Sequence, residues 1–245
     1  MIERHLAKLR ARATVSAEEE AAIRSSLGEI REFAADEVVV PALKVQDHST
    51  MLLDGFMCRF KDLRNGKRQI TELHVAGDFA DLHSFTLKYL DHDVIALTPC
   101  RAALVPHANL RRITEQFPHL TRLYWFSTNL DAAIHREWEL SLGQRTARAR
   151  LAALFSELQI RLQIVGLASD TSFDLPLTQT DIAECMGLTN VHVNRTLRNL
   201  KEDRLVEFEG RRLTILNKAE LWRAGDFDPR YLYLDGNGTA PSLGP

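Results

Sequence analysis

The chain has 245 residues, 45% of them apolar, and carries 31 Lys and Arg against 33 Asp and Glu. That is enough for one large or two modest globular domains. A formal net charge of -2 excludes a globally basic nucleic-acid binder, so any anion-binding surface has to be local.

The three cysteines, Cys58, Cys100 and Cys185, are far apart and odd in number, which fits a reducing cytoplasm better than a disulfide framework. No pair of them has the CxxC spacing of a zinc site. Met1 to Arg12 is charged throughout without an apolar core, so it does not read as a signal peptide. No apolar run is long enough to span a bilayer. The expectation is a soluble, cytoplasmic protein with no membrane partner.

Ser16 to Leu27 reads as a short helix, with Ser16 as N-cap and Glu19 completing a capping box. From Val38 to Pro106 short β-rich runs alternate with turn signals. The runs are Val38 to Val40, Met51 to Leu53, Met57 to Leu63, Gln69 to Val75 and Arg101 to Val105. Asn65-Gly66 between two of them predicts a hairpin, and the regular spacing predicts a small barrel or roll. Helix returns with Asn109 to Phe117. Pro118 then starts a long helix that runs to about Leu142 and is broken at Gly143. Leu123, Phe126, Leu130, Ile134 and Trp138 form one apolar stripe on it. The stripe either packs on its own domain or pairs with a second copy. The second is the expectation, because a helix between two domains has little of its own chain to cover both flanks. Thr146 to Ile164 is a further helix, and Gly166 to Pro176 reads as a polar loop. After Asp235 the chain is rich in Gly and Pro and reads as disordered.

The segment Leu177 to Leu216 carries the function. Thr178 caps a helix, with Asp181 at the positive end of its dipole. Ile182, Ala183 and Met186 face inward, Gly187 permits a sharp turn, Leu188 plugs the corner, and Thr189 caps a second helix. In that helix Val193, Leu197 and Leu200 form the inner stripe. Asn190, His192, Asn194, Arg195, Arg198 and Asn199 form the outer face. This is the helix-turn-helix pattern. Arg can grip guanine O6 and N7 with two hydrogen bonds, and Asn can do the same for adenine. No acid occurs between Glu184 and Glu202, so the second helix is locally cationic. Leu205 to Phe208 and Leu213 to Leu216 flank Glu209-Gly210-Arg211-Arg212, a hairpin like a wing whose Arg211 and Arg212 can touch phosphate. The competing reading is an ordinary helical hairpin with solvated charges.

On two motifs the sequence resembles the Crp/Fnr family of bacterial transcription regulators. One is the run Leu177 to Leu200 just described, and the other is Gln144-Arg-Thr-Ala-Arg-Ala-Arg-Leu-Ala-Ala-Leu154. The resemblance implies an α+β protein with a β-roll of the cyclic-nucleotide-binding type over 1–117. It further implies a dimerisation helix over 118–143, a winged helix-turn-helix over 144–217 and a tail over 218–245. It implies double-stranded DNA as partner, a homodimer on a palindromic operator, and RNA polymerase as a further candidate partner. The implied DNA-contacting set is Thr178, Thr189, Asn190, Val191, His192, Asn194, Arg195, Arg198, Arg211 and Arg212. A common family pattern places Glu, Ser and Arg on the base edges. Here Val191, Asn194 and Arg195 fall there, so the DNA site should differ from the best-known half-site.

The sensor chemistry does not carry over. The cAMP-binding members have an Arg-Ser or Arg-Thr pair after a Gly-Glu-Leu segment. Here Gly77-Asp78-Phe79 is followed by Leu90-Asp91-His92-Asp93, without the phosphate-gripping Arg and with acids in its place. cAMP is therefore not expected to bind. Oxygen-sensing members need a cysteine cluster, and this chain has none, so no iron–sulfur cluster is expected, and no haem is expected either because His83 and His92 match no closed motif. The effector stays unidentified. His83 and His92 near Asp81, Asp91 and Asp93 match no closed metal motif, and a solvated loop is the default. Cys58 and Cys100 read as small buried thiols rather than redox sensors. Trp125 and Trp138 read as helix packing rather than as walls of an effector pocket. No convergent nucleophile and base suggests an enzyme. The alternative function is a small-molecule-binding signalling module whose DNA role is secondary.

Overall fold

The structure, a computed structural model, describes residues 2–234, so the stretch after Asp235 that reads as disordered lies outside the described residues. The charged N-terminus forms a helix that the sequence reading passed over. This is α1 (Glu3–Arg10), which buries His5, Leu6 and Leu9. Few as they are, its apolar residues share one face and suffice for docking against the rest of the chain. Next comes α2 (Ala17–Ser26), which opens with the expected capping box: Ser16 Oγ accepts from the Glu19 N–H at 3.2 Å, and the Glu19 carboxylate accepts from the Ser16 N–H at 2.9 Å.

Seven strands follow and form two antiparallel sheets. One orders β1 (Ile30–Phe33), β7 (Cys100–Pro106) and β3 (His48–Asp54). The other orders β2 (Val38–Val40), β6 (Asp93–Ala96), β4 (Phe56–Asp62) and β5 (Arg68–Val75). Between them lies a core that includes Phe33, Leu52, Met57, Val94 and Ala102, with the short α3 (Ser84–Leu87) at its side. The Asn65-Gly66 turn joins β4 to β5 as expected, with Gly66 at φ 79°. Two strands were not legible. In β1 three of four residues are exposed, and β6 is only four residues long.

Helices α4 (His107–Gln116) and α5 (Pro118–Gln144) lead out of the roll. Gly143 does not break α5 but sits in its last turn, and the helix ends at Arg145 in extended backbone. The stripe expected to face a second copy is covered by this chain instead. Leu123 joins a core with α1 and the roll. Leu130, Ile134 and Trp138 join the core of the C-terminal unit. Phe126 stacks edge-on to Tyr233 at 5.8 Å. The expectation failed because α1 and the segment that ends in a 3-10 turn at Pro229–Leu232 return to this flank, which a helix-by-helix reading does not show.

The C-terminal unit is built on α6 (Ala147–Ile164), capped by Thr146. The expected polar loop contains β8 (Ser172–Asp174), because Phe173 is fully buried and draws the segment alongside the wing. Then come α7 (Gln179–Met186), α8 (Asn190–Glu202), β9 (Val206–Glu209) and β10 (Arg212–Ile215), in a sheet ordered β8-β10-β9. Residues 218 to 234 are not a loose tail. Asn217 caps α9 (Lys218–Gly225), which lies so close to α6 that a Cβ on Gly225 would sit 2.8 Å from Ala153 N. A 3-10 turn, Pro229–Leu232, then buries Leu232.

Candidate nucleic-acid interface

The two helices α7 and α8 meet as their sequence dictates. Thr178 and Asp181 form a capping box at the start of α7. Gly187 takes the left-handed backbone, φ 60°, that a sharp helix end requires, and Leu188 N–H closes the turn onto Ala183 O at 2.9 Å. Thr189 Oγ1 then accepts from His192 N–H at 3.3 Å and starts α8. Val193, Thr196 and Leu200 are buried under α8, with Leu197 half-buried beside them.

The outer face of α8 is bare. Asn190, Val191, His192, Asn194, Arg195, Arg198 and Asn199 are all exposed, Val191 at 74%. Neither Arg195 nor Arg198 forms an ion pair among the described residues. Two side chains on this face are tied to α7. Asn194 and Gln179 exchange amide hydrogen bonds at 2.7 and 3.2 Å, and Asn190 donates to Thr180 Oγ1 at 3.1 Å. Sequence reasoning missed Gln179 and Thr180. Their signal was position: polar residues in the first turn of a helix whose partner crosses closely over Ala183. Thr178 is engaged in its own cap, its hydroxyl donating to Asp181 Oδ2 at 2.8 Å.

The wing's two arginines differ. Gly210 and Arg211 both have positive φ, 56° and 65°, as a two-residue hairpin turn demands. Arg211 is exposed and has no ion-pair partner among the described residues. Arg212 is held by β8, at 2.8 Å from Asp174 and 2.6 Å from Ser172 Oγ.

Inside the roll the charges face one another. Arg59 of β4 pairs with Glu72 of β5, reaches Asp131 of α5 at 3.0 Å and donates to Ala80 O at 2.9 Å. His135 Nε2 lies 3.0 Å from the same Glu72 carboxylate. Asp78 is shared by Lys8 of α1 and Arg161 of α6. Asp91 meets Lys61 and His92, and Asp93 accepts from the Ala42 N–H at 2.8 Å. His83 and His92 stack, ring centroids 5.6 Å apart. Burial depresses His83 to about 3. Among the described residues no group of three or more His, Cys, Asp or Glu is arranged to hold a metal ion. The three thiols are buried on three separate elements, and burial pushes each of them up. They do not make the donor set of an iron–sulfur cluster. Trp138 is buried and donates to Glu157 at 3.1 Å, whereas Trp125 is 66% exposed.

A helix-turn-helix with a bare cationic outer face, followed by a β-wing, defines a DNA-binding regulator. Known proteins agree. Residues 149–224 match the Crp-like helix-turn-helix domain, and residues 30–117 match the cyclic nucleotide-binding domain. The chain is 28% identical over 215 residues to the transcriptional activator protein FnrL of Cereibacter sphaeroides, covering 85% of each. It is 31% identical over 175 residues to a probable transcriptional activator of Rhizobium leguminosarum bv. viciae, covering 70% of this chain and 71% of that one. FixK2 from Bradyrhizobium japonicum has the same fold, with a TM-score of 0.73 at 24% identity over 80% of this chain and 96% of that one. The chain belongs to the Crp/Fnr family of transcription regulators.

Proposed function

We propose that the protein binds a palindromic operator as a homodimer, with α8 in the major groove and Arg195 bidentate to a guanine. The observation that carries this is the outer face of α8, where Arg195 and Arg198 are exposed without acidic partners. Val191 is the most exposed apolar residue of that helix and is placed to pack on a thymine methyl. Thr189, Asn190, His192, Arg198 and Arg211 supply phosphate and groove contacts, and Thr178 acts through the cap it makes. The relatives' names as activators favour RNA polymerase as a second partner. A regulator of chromosomal DNA works in the cytoplasm, where reduced thiols persist.

The dimer seam lies on a different face of α5 from the one the apolar stripe suggested. Arg122, Trp125, Asn129, Ala132, Arg136 and Glu139 are exposed at alternating steps of three and four, a continuous face of α5 that this chain leaves uncovered. Two-fold pairing along it sets two copies of α8 on half-sites about one helical turn apart. Light scattering tests the seam. The wild type should be a dimer at micromolar concentration, and Trp125→Glu with Ala132→Glu should be a monomer. A wild-type monomer sinks the proposal.

The protein does not respond to cAMP in this reading. Arg59, buried between β4 and α5, is already matched by Glu72 and Asp131, so a cyclic phosphate would have to displace two carboxylates. Calorimetry giving a micromolar dissociation constant for cAMP would refute this. Specificity has its own test. Val191→Glu should shift one half-site position from thymine towards cytosine, because Glu accepts from cytosine N4 and Val cannot. An unchanged consensus means that Val191 does not face the bases.

A further inference from the structure

The last four carbonyls of a helix lack partners within it. In α7 all four are accounted for. Ala183 O takes the N–H groups of Gly187 and Leu188. Met186 O takes Arg150 of α6 at 2.8 Å. The middle two, Glu184 O and Cys185 O, are taken from outside the DNA-binding unit, by Gln69 Nε2 of β5 at 2.7 and 3.2 Å. The same Nε2 also lies 2.8 Å from Ile70 O, so its two N–H groups are shared among three carbonyls. The roll therefore grips the helix-turn-helix at its turn, through the negative end of the α7 dipole.

A second grip lies further along the same strand. Arg161 of α6 donates to Leu73 O at 2.6 Å and to Asp78 at 3.0 Å, with its side chain only 7% exposed. Gln69 and Leu73 are four residues apart on β5, roughly 13 Å at strand rise. The two grips lie at either end of an apolar contact, in which Ile70 and Leu73 of β5 share a core with Ile182 and Met186 of α7, and together they restrain the tilt of the DNA-binding unit against the roll.

We infer that Gln69 is a positioning residue for DNA recognition: with Arg161 it sets the tilt of α7 and α8 on the roll, and so the half-site separation the dimer accepts. It touches no base. Its effect is on where the two copies of α8 stand. This inference rests on the dimeric, palindrome-binding reading above.

The test is a set of duplexes carrying the protein's own selected half-site at separations one and two base pairs shorter and longer than the best. Binding is measured by fluorescence anisotropy at one salt concentration. Gln69→Glu keeps the shape but removes both donors, and Gln69→Ala removes the side chain. Gln69 is half-buried at the edge of the roll, and melting curves check that each variant folds. The wild type should lose affinity when the spacing moves by one base pair. Both variants should reduce that penalty by about three- to tenfold, the worth of one to two hydrogen bonds, or move the optimum, with the half-site sequence unchanged. A wild-type spacing profile kept in both variants overturns the inference, whether overall affinity is intact or uniformly lower. A wild type that selects no paired half-sites is a failure of the operator reading itself, visible before any variant is made.

Discussion

The roll and the helix-turn-helix unit use the same charged residues in opposite ways. In the roll and where α1, α5 and α6 pack against it, Arg59, Glu72, Asp131, Lys8, Asp78 and Arg161 are turned inward and pair with one another. On α8, Arg195 and Arg198 are turned outward and form no ion pair among the described residues. A charge taken out of water has to be matched, so the inward set holds the fold together. A charge left in water is inexpensive to keep and is available to a ligand. The difference separates residues whose loss unfolds the protein from residues whose loss only blinds it.

The largest expected effect breaks the inward set. Arg59→Met leaves Glu72, 1% exposed, without its main partner. Urea denaturation should show a loss of about 3–5 kcal/mol, the range for breaking a buried pair from one side. A loss under about 1 kcal/mol would mean that the network is solvated and not structural.

Next in size is a pH effect at the α1 dock. His5 is buried, its Nδ1 bonded to Gly77 O at 2.9 Å and its ring edge-on to Phe79. Burial depresses it to about 4. Above the unfolded value near 6.5 the ring is neutral in both states and its contribution is complete. As pH falls below 6.5 the unfolded chain takes the proton first, and up to ~3 kcal/mol is lost by the time pH reaches about 4. Asp81 works the other way. Burial raises its carboxyl to about 6, so the folded state takes that proton first and gains relative stability as pH falls. Comparing wild type with His5→Gln isolates the first contribution: stability should fall less between pH 7 and 5 in the variant. Parallel curves would place His5 in water.

The smallest effect sharpens the comparison within the wing. Arg211→Ala should weaken binding to all DNA sequences alike and reduce the slope of log K against log salt by about one. Arg212→Ala should change that slope less, because Arg212 is held by Asp174 and Ser172. Equal slope changes would show that DNA pulls Arg212 away from β8.

Caps and tight turns were read correctly, although Gly143, read as a helix break, sits within α5. The Ser16 and Thr178 capping boxes, the Thr189 cap, the Gly187 turn and the Asn65-Gly66 hairpin each depend on residues a few positions apart. The bare face of α8 followed from its periodicity. What was missed depends on distant chain. The α5 stripe is buried because α1 and the Pro229–Leu232 turn come back to cover it. β8 exists because Phe173 finds a place beside β10. Gln69 gave no signal at all, since its partners lie 115 and 116 positions along the chain. The different fates of Arg211 and Arg212 depend on Asp174, 38 positions from Arg212.

The central claim is that α8 reads base edges through Arg195. The most direct test is selection from a random DNA library at one fixed salt concentration, run in parallel on the wild type and Arg195→Ala. The account predicts a palindromic consensus for the wild type with one guanine in each half. In the variant that guanine should lose about 1–3 kcal/mol of discrimination while the other positions stay. Melting temperature should be unchanged, since Arg195 is exposed and without an ion-pair partner among the described residues. A wild type that enriches no sequence, or a variant that keeps the guanine, would contradict it.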